Sequence, residues 1–176
     1  EFIRTTLSKE KLQKMSEENF RECWKTLYAS QIINEKGQNL FFQNNIINAN
    51  NGFEDVREKL LELLHGTESI PTRFEKSIHE IKQFGDATVS ELLNNLYPEE
   101  CCVWNDKVRK AIPLLGLSKL VPNQFLEGTK KLSKAEDYEK CNLLLSMIKD
   151  ESALVGVKNF TELDHFFWYV ATRNYW

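Results

Sequence analysis

Apolar residues recur at spacings of three to five along nearly every segment of this chain, which is the period of a helix and not of a strand. Leu12, Met15, Phe20, Cys23, Trp24 and Leu27 form one such stripe, and Phe53, Val56, Leu60, Leu63 and Leu64 form another. Val89, Leu92, Leu93 and Leu96 make a third, and Tyr138, Cys141, Leu144, Leu145 and Ile148 a fourth. With only 7 Gly and 4 Pro among 176 residues, the chain lacks the tight turns that an all-β protein needs. The pattern predicts an all-α bundle of seven to nine short helices, in a single domain over residues 1–176. Within it, a hairpin module covers about residues 70–117, and C-terminal helices over 122–172 pack on it.

Local signals set the expected boundaries. Ser8 to Met15 and Glu17 to Ser30 read as two helices, the second opened by Ser16 as a cap. Asn34 to Asn39 reads as a loop because of Gly37, and Phe41 to Ile47 as a short helix. Phe53 to Leu64 ends at His65-Gly66, and Ile70-Pro71 opens the next helix. Thr88 to Tyr97 is expected to be capped by Thr88, with Glu91 three residues on, and stopped by Pro98. Asn105 to Leu115 closes at Gly116; Pro122 to Phe125, Ser133 to Ile148 and Leu163 to Val170 follow.

Composition excludes several classes. Hydrophobic residues are 41% of the chain, enough to bury a core. No run of about 18 apolar residues occurs, so no membrane span is expected. The net charge of -3 argues against a protein that coats nucleic acid with its whole surface, but it permits a local site for one or two phosphates. Cys23, Cys101, Cys102 and Cys141 are too scattered for a disulfide framework. They are expected to be free, buried thiols in a reducing cytosol, and the charged N-terminus does not read as a signal peptide. His65, His79 and His165 lie far apart, and no Gly-rich phosphate loop exists. Neither cofactor nor metal is expected, and the chain does not read as an enzyme.

One stretch carries chemistry. Between Ile78 and Leu117 two helices meet in a very short turn at Gln83-Phe84-Gly85, and a second turn over Pro98 to Val103 leads into a basic helix. The first turn reads apolar, any, Gln, apolar, Gly. It resembles the helix-hairpin-helix motif, whose pattern is apolar, any, Gly, apolar, Gly. Such a corner leaves backbone N–H groups at the start of its second helix, where the helix dipole is positive. A DNA phosphate can sit there without any base contact. The candidate DNA-binding residues are therefore Lys82, Gly85, Ala87 and Thr88, with Lys107, Arg109 and Lys110 from the basic helix.

The resemblance extends through Leu117 to the segment that follows the hairpin in the DNA glycosylase superfamily. Its catalytic Asp falls on Asn105 here, and the lysine of the bifunctional enzymes falls on Ala87. An amide is no general base, so base excision is not expected. Two further departures are Gln83 at the first hairpin Gly and Asp86, whose charge would repel a phosphate unless it turns away as a cap. A tight corner in an all-α core is the alternative reading of the same residues.

From Glu17 to Leu117 the order of elements also resembles a helical module in the N-terminal regions of McrB-type restriction ATPases and other defence proteins. Ser90-Glu91-Leu92-Leu93 and Trp104-Asn105-Asp106-Lys107-Val108 are its distinctive words. Arg173-Asn174-Tyr175-Trp176 resembles the opening strand of a modified-base-reading domain of the EVE type, which implies a fragment of a longer protein and an adjoining domain. The resemblance implies a non-catalytic module that contacts DNA backbone within a restriction or defence protein. The rival is a structural adaptor docking through its aromatic C-terminus: Phe160, Phe166, Phe167, Trp168, Tyr169, Tyr175 and Trp176. Trp104 is expected to be a buried anchor and Asn105 a helix cap.

Overall fold

The structure is a computed structural model that describes residues 2–31, 33–126, 131–152 and 156–173. Among these residues it is all helical, with no strand and with eight α-helices of seven residues or more. The helices are α1 (Phe2–Thr6), α2 (Lys9–Gln13), α3 (Glu17–Lys25), α4 (Tyr28–Gln31), α5 (Glu35–Phe41), α6 (Phe53–His65), α7 (Ile70–Glu80), α8 (Asp86–Leu96), α9 (Asp106–Leu114), α10 (Asn123–Leu126), α11 (Ala135–Ser152) and α12 (Phe160–Thr172). α12 lies along α9, α7 packs on α6 and α11, and α8 is enclosed by α1, α4, α6 and α7. No helix among the described residues is long and apolar enough to cross a membrane.

The stripes bury as their periodicity demands. Phe53, Val56, Leu60, Leu63 and Leu64 of α6 and Val89, Leu92, Leu93 and Leu96 of α8 all enter the core. Ser16 caps α3 by accepting the Asn19 N–H at 3.2 Å, and Pro71 sits in the first turn of α7. All four cysteines are free and buried, and burial pushes the Cys23 thiol up to about 11 and those of Cys101 and Cys141 up to about 12. These are apolar fillers and not nucleophiles.

Several boundaries differ from the sequence reading: α1 precedes the first expected helix, α12 starts three residues early at Phe160, and three others have a clear local cause. The expected loop over Asn34 to Asn39 is mostly α5, because the Asn34 carboxamide accepts the Gly37 N–H at 2.8 Å and starts a helix there. That helix runs on as a π-helical turn over Phe42–Ile47. The wider turn buries Phe42, Ile46 and Ile47 together, and Phe42 packs 5.8 Å from Phe20 and 5.5 Å from Trp24. The expected helix over Glu17 to Ser30 breaks in two, since Thr26 and Leu27 close α3 with bonds to the Cys23 and Trp24 carbonyls. Thr88 does not cap α8: the helix starts at Asp86 with Gly85 as its N-cap.

Asn50 fixes where α7 turns into α8. Its carboxamide donates to the Ile46 carbonyl at 2.7 Å and the Lys82 carbonyl at 3.1 Å, and accepts the Lys82 N–H at 2.7 Å. One buried side chain thus replaces backbone partners that the turn cannot supply. Asn50→Ala should lower unfolding free energy by about 2–3 kcal/mol, as three hydrogen bonds are lost inside the protein. Urea denaturation measures it; a change below about 0.5 kcal/mol would show that water replaces the amide.

Candidate nucleic-acid interface

The corner between α7 and α8 is built from backbone conformation. α7 ends at Glu80 with Ile81 as its C-cap, and the Phe84 N–H bonds back to the Ile81 carbonyl at 3.1 Å. Gln83 stands at φ 70°, in the left-handed region. It therefore adopts a conformation that glycine favours, at a cost of about 1 kcal/mol. Gly85 has φ -88° and ψ 178°, extended backbone that any residue can take. Strain is thus not the reason for a glycine there. A Cβ on Gly85 would meet nothing nearer than the Lys131 amine, at 4.0 Å, so the surface above it is open and lies beside a cation.

Asp86 turns inward. It is 3% exposed, its Oδ1 accepts the Ala87 N–H at 3.0 Å, and its Oδ2 accepts the Leu132 N–H at 3.0 Å and pairs with Arg109. The carboxylate therefore does not face a ligand at the corner. It removes one N–H, that of Ala87, from the open set. The N–H groups of Gly85, Asp86 and Thr88 have no acceptor among the described residues.

The seven candidates divide. Lys82, Gly85, Ala87 and Thr88 all lie at the corner, with the Lys82 side chain exposed. Arg109 is enclosed, paired with Asp86 and 6.0 Å from the centre of the Trp104 ring. Lys110 is exposed but pairs with Asp106 at 2.6 Å. Lys107 is half-buried and has no ion pair among the described residues. Lys131 is a further cation that sequence reasoning missed, because it lies 46 residues from Gly85 and only the fold brings it there.

Behind the corner, residues 101–105 form a buried segment, and three of its backbone groups take side-chain partners. Asn94 donates to the Cys101 carbonyl at 2.7 Å, Asn142 accepts the Cys102 N–H at 2.7 Å, and Ser90 accepts the Trp104 N–H at 2.9 Å. Trp104 is the expected buried anchor. Asn105 is the expected cap: its Oδ1 accepts the Lys107 and Val108 N–H groups at 2.9 and 3.0 Å, and its Nδ2 donates to Asp164 at 2.9 Å. The C-terminal aromatics split, since Phe160 and Phe167 are core while Phe166, Trp168 and Tyr169 are exposed. Tyr175 and Trp176 lie outside the described residues.

Asn105 and Asp164 also line a cleft of about 380 Å³ between α8 and α12, with Glu91, Asn95, Tyr28 and Trp168. Glu91 does not complete a capping box on α8. Its two oxygens accept the Tyr28 and Ala29 N–H groups at 2.6 and 3.0 Å, so it caps α4 across the cleft. Burial pushes its carboxyl up to about 7, the two backbone donors oppose that, and Asp164 adds to it. Burial raises Asp164 as well, opposed by the hydrogen bond from Asn105.

Two consequences are measurable. Arg109→Ala leaves the Asp86 carboxylate buried and unpaired, which should cost about 3 kcal/mol, whereas Lys107→Ala should change stability by less than about 0.5 kcal/mol. Equal urea midpoints for the two variants would contradict this placement of Arg109. Glu91 binds its proton more tightly folded than unfolded. Its contribution is therefore most favourable below the ordinary carboxylate range and is lost as pH rises through about 7. Unfolding free energy should fall from about pH 5 to pH 8 by up to about 3 kcal/mol, and Glu91→Gln should flatten that slope. Parallel slopes would rule out Glu91 as the source. No family model, curated protein or solved structure matches the chain, so the site rests on its own residues.

Proposed function

We propose that this chain is a non-catalytic module that contacts DNA backbone through the corner between α7 and α8, as part of a restriction or defence protein. The observation that carries the reading is the open set of N–H groups on Gly85, Asp86 and Thr88, at the positive end of an 11-residue helix and beside the Lys131 amine. A phosphate oxygen fits that chemistry, and backbone N–H groups and lysines contact phosphate without reading sequence. The contacting cations are Lys82 and Lys131, with Lys107 as a third. Arg109 and Lys110 serve the fold and its surface pairs instead. Base excision is not expected, because the Asn105 carboxamide already caps α9 and holds Asp164. A second reading, docking of a protein or an adjoining domain, draws on the exposed Phe166 and Trp168 of α12.

Binding should be weak, indifferent to sequence and steeply salt-dependent, with a slope of roughly -2 to -3 in log K against log salt. Fluorescence anisotropy of a labelled duplex measures it. Lys82→Ala with Lys131→Ala should reduce that slope by about 2 while leaving the circular dichroism unchanged. Gly85→Val should also fold and bind less, since its side chain covers the open surface. A double lysine variant that binds like the parent would remove the corner from contention and favour docking.

A further inference from the structure

Among the described residues, nothing covers the apolar outer face of α11. Leu143 and Met147 are 64% and 60% exposed, although apolar side chains in a helix stripe ordinarily face a core. With half-buried Leu144 and Ile148 they form one wall of a groove of about 570 Å³, and Leu117 and Leu120 form the other. A charge stands at each end of this face, Lys140 toward the start of α11 and Glu151 toward its end. Both are exposed, and neither has an ion pair among the described residues.

The order of these residues is its own reverse. About a point midway between Leu145 and Ser146, Lys140 falls on Glu151, Leu143 on Ile148, and Leu144 on Met147. A helix with that pattern complements an antiparallel copy of itself: apolar side chains meet along the middle, and each Lys140 meets the other copy's Glu151 at an end. A parallel pairing would set lysine against lysine and glutamate against glutamate. We propose that this face is the seam of a two-fold dimer in which α11 of one chain lies antiparallel to α11 of a second copy. Leu120, on the opposite wall of the groove, is 56% exposed and adds to the apolar area. This inference is independent of the DNA reading, since the seam shares no residue with the corner.

Sedimentation equilibrium from about one to about 500 micromolar measures the association of the parent chain. The parent should dimerise within that range. Lys140→Glu alone and Glu151→Lys alone each replace two attractive end contacts with two repulsive ones, and each should weaken association by roughly tenfold or more. Mixing the two single variants in equal amounts should restore a heterodimer. In that pairing one chain is acidic at both ends of its seam, the other is basic at both, and opposite charges meet at each end. The double variant Lys140→Glu with Glu151→Lys should restore the homodimer. Both positions are solvent-facing, so circular dichroism should match the parent throughout. A parent that stays monomeric at the highest concentration would overturn the proposal. So would single variants that associate like the parent, or singles whose mixture fails to recover.

Discussion

The carboxylate of Asp86 joins three separate parts of the chain. It bonds to the first turn of α8, to Arg109 on α9, and to the backbone at Leu132 ahead of α11. A buried charge is tolerated only with a full set of partners, so the three segments are fixed together or not at all. The same interaction shapes the surface. By turning inward it clears a negative charge from the corner, and by holding Arg109 it withdraws the strongest cation of the basic helix. What remains open at the corner is backbone N–H and lysine.

Carboxamides act in a comparable way elsewhere. Asn50 holds the Lys82 turn, Asn94 and Asn142 hold the buried segment over residues 101–105, and Asn105 starts α9. Each has both donor and acceptor, so Asn50, Asn142 and Asn105 each answer two or more backbone groups, and Asn94 ties the Cys101 carbonyl to the Thr161 hydroxyl. The richness in Asn that makes parts of this sequence look like loop is thus a set of clamps between short helices. It is also how a chain with many helix ends keeps those ends satisfied.

The helices and their inward faces were legible because a 3.6-residue stripe survives in α6, α7, α8, α9 and α11. The roles of Trp104 and Asn105 were legible for local reasons, the one in size and the other in capping preference. What could not be read depends on residues distant in sequence. Glu91 satisfies a cap pattern with Thr88, yet it serves α4, 62 residues away. Arg109 reads as a surface cation in a basic run, yet it meets Asp86, 23 residues earlier. Gly37 reads as a loop, but its N–H is the donor that Asn34 needs. Lys131 carries no local signal at all.

The claim that most needs a direct test is that phosphate meets the backbone at the start of α8. Amide chemical shifts of ¹⁵N-labelled protein, followed while a short duplex is added and then while salt is raised, test it residue by residue. The account predicts that the Gly85, Asp86 and Thr88 amides move together, that the Ala87 amide moves less because Asp86 holds it, and that salt reverses the shifts. Shifts confined to the cleft between α8 and α12, or to the exposed face of α11, would contradict it.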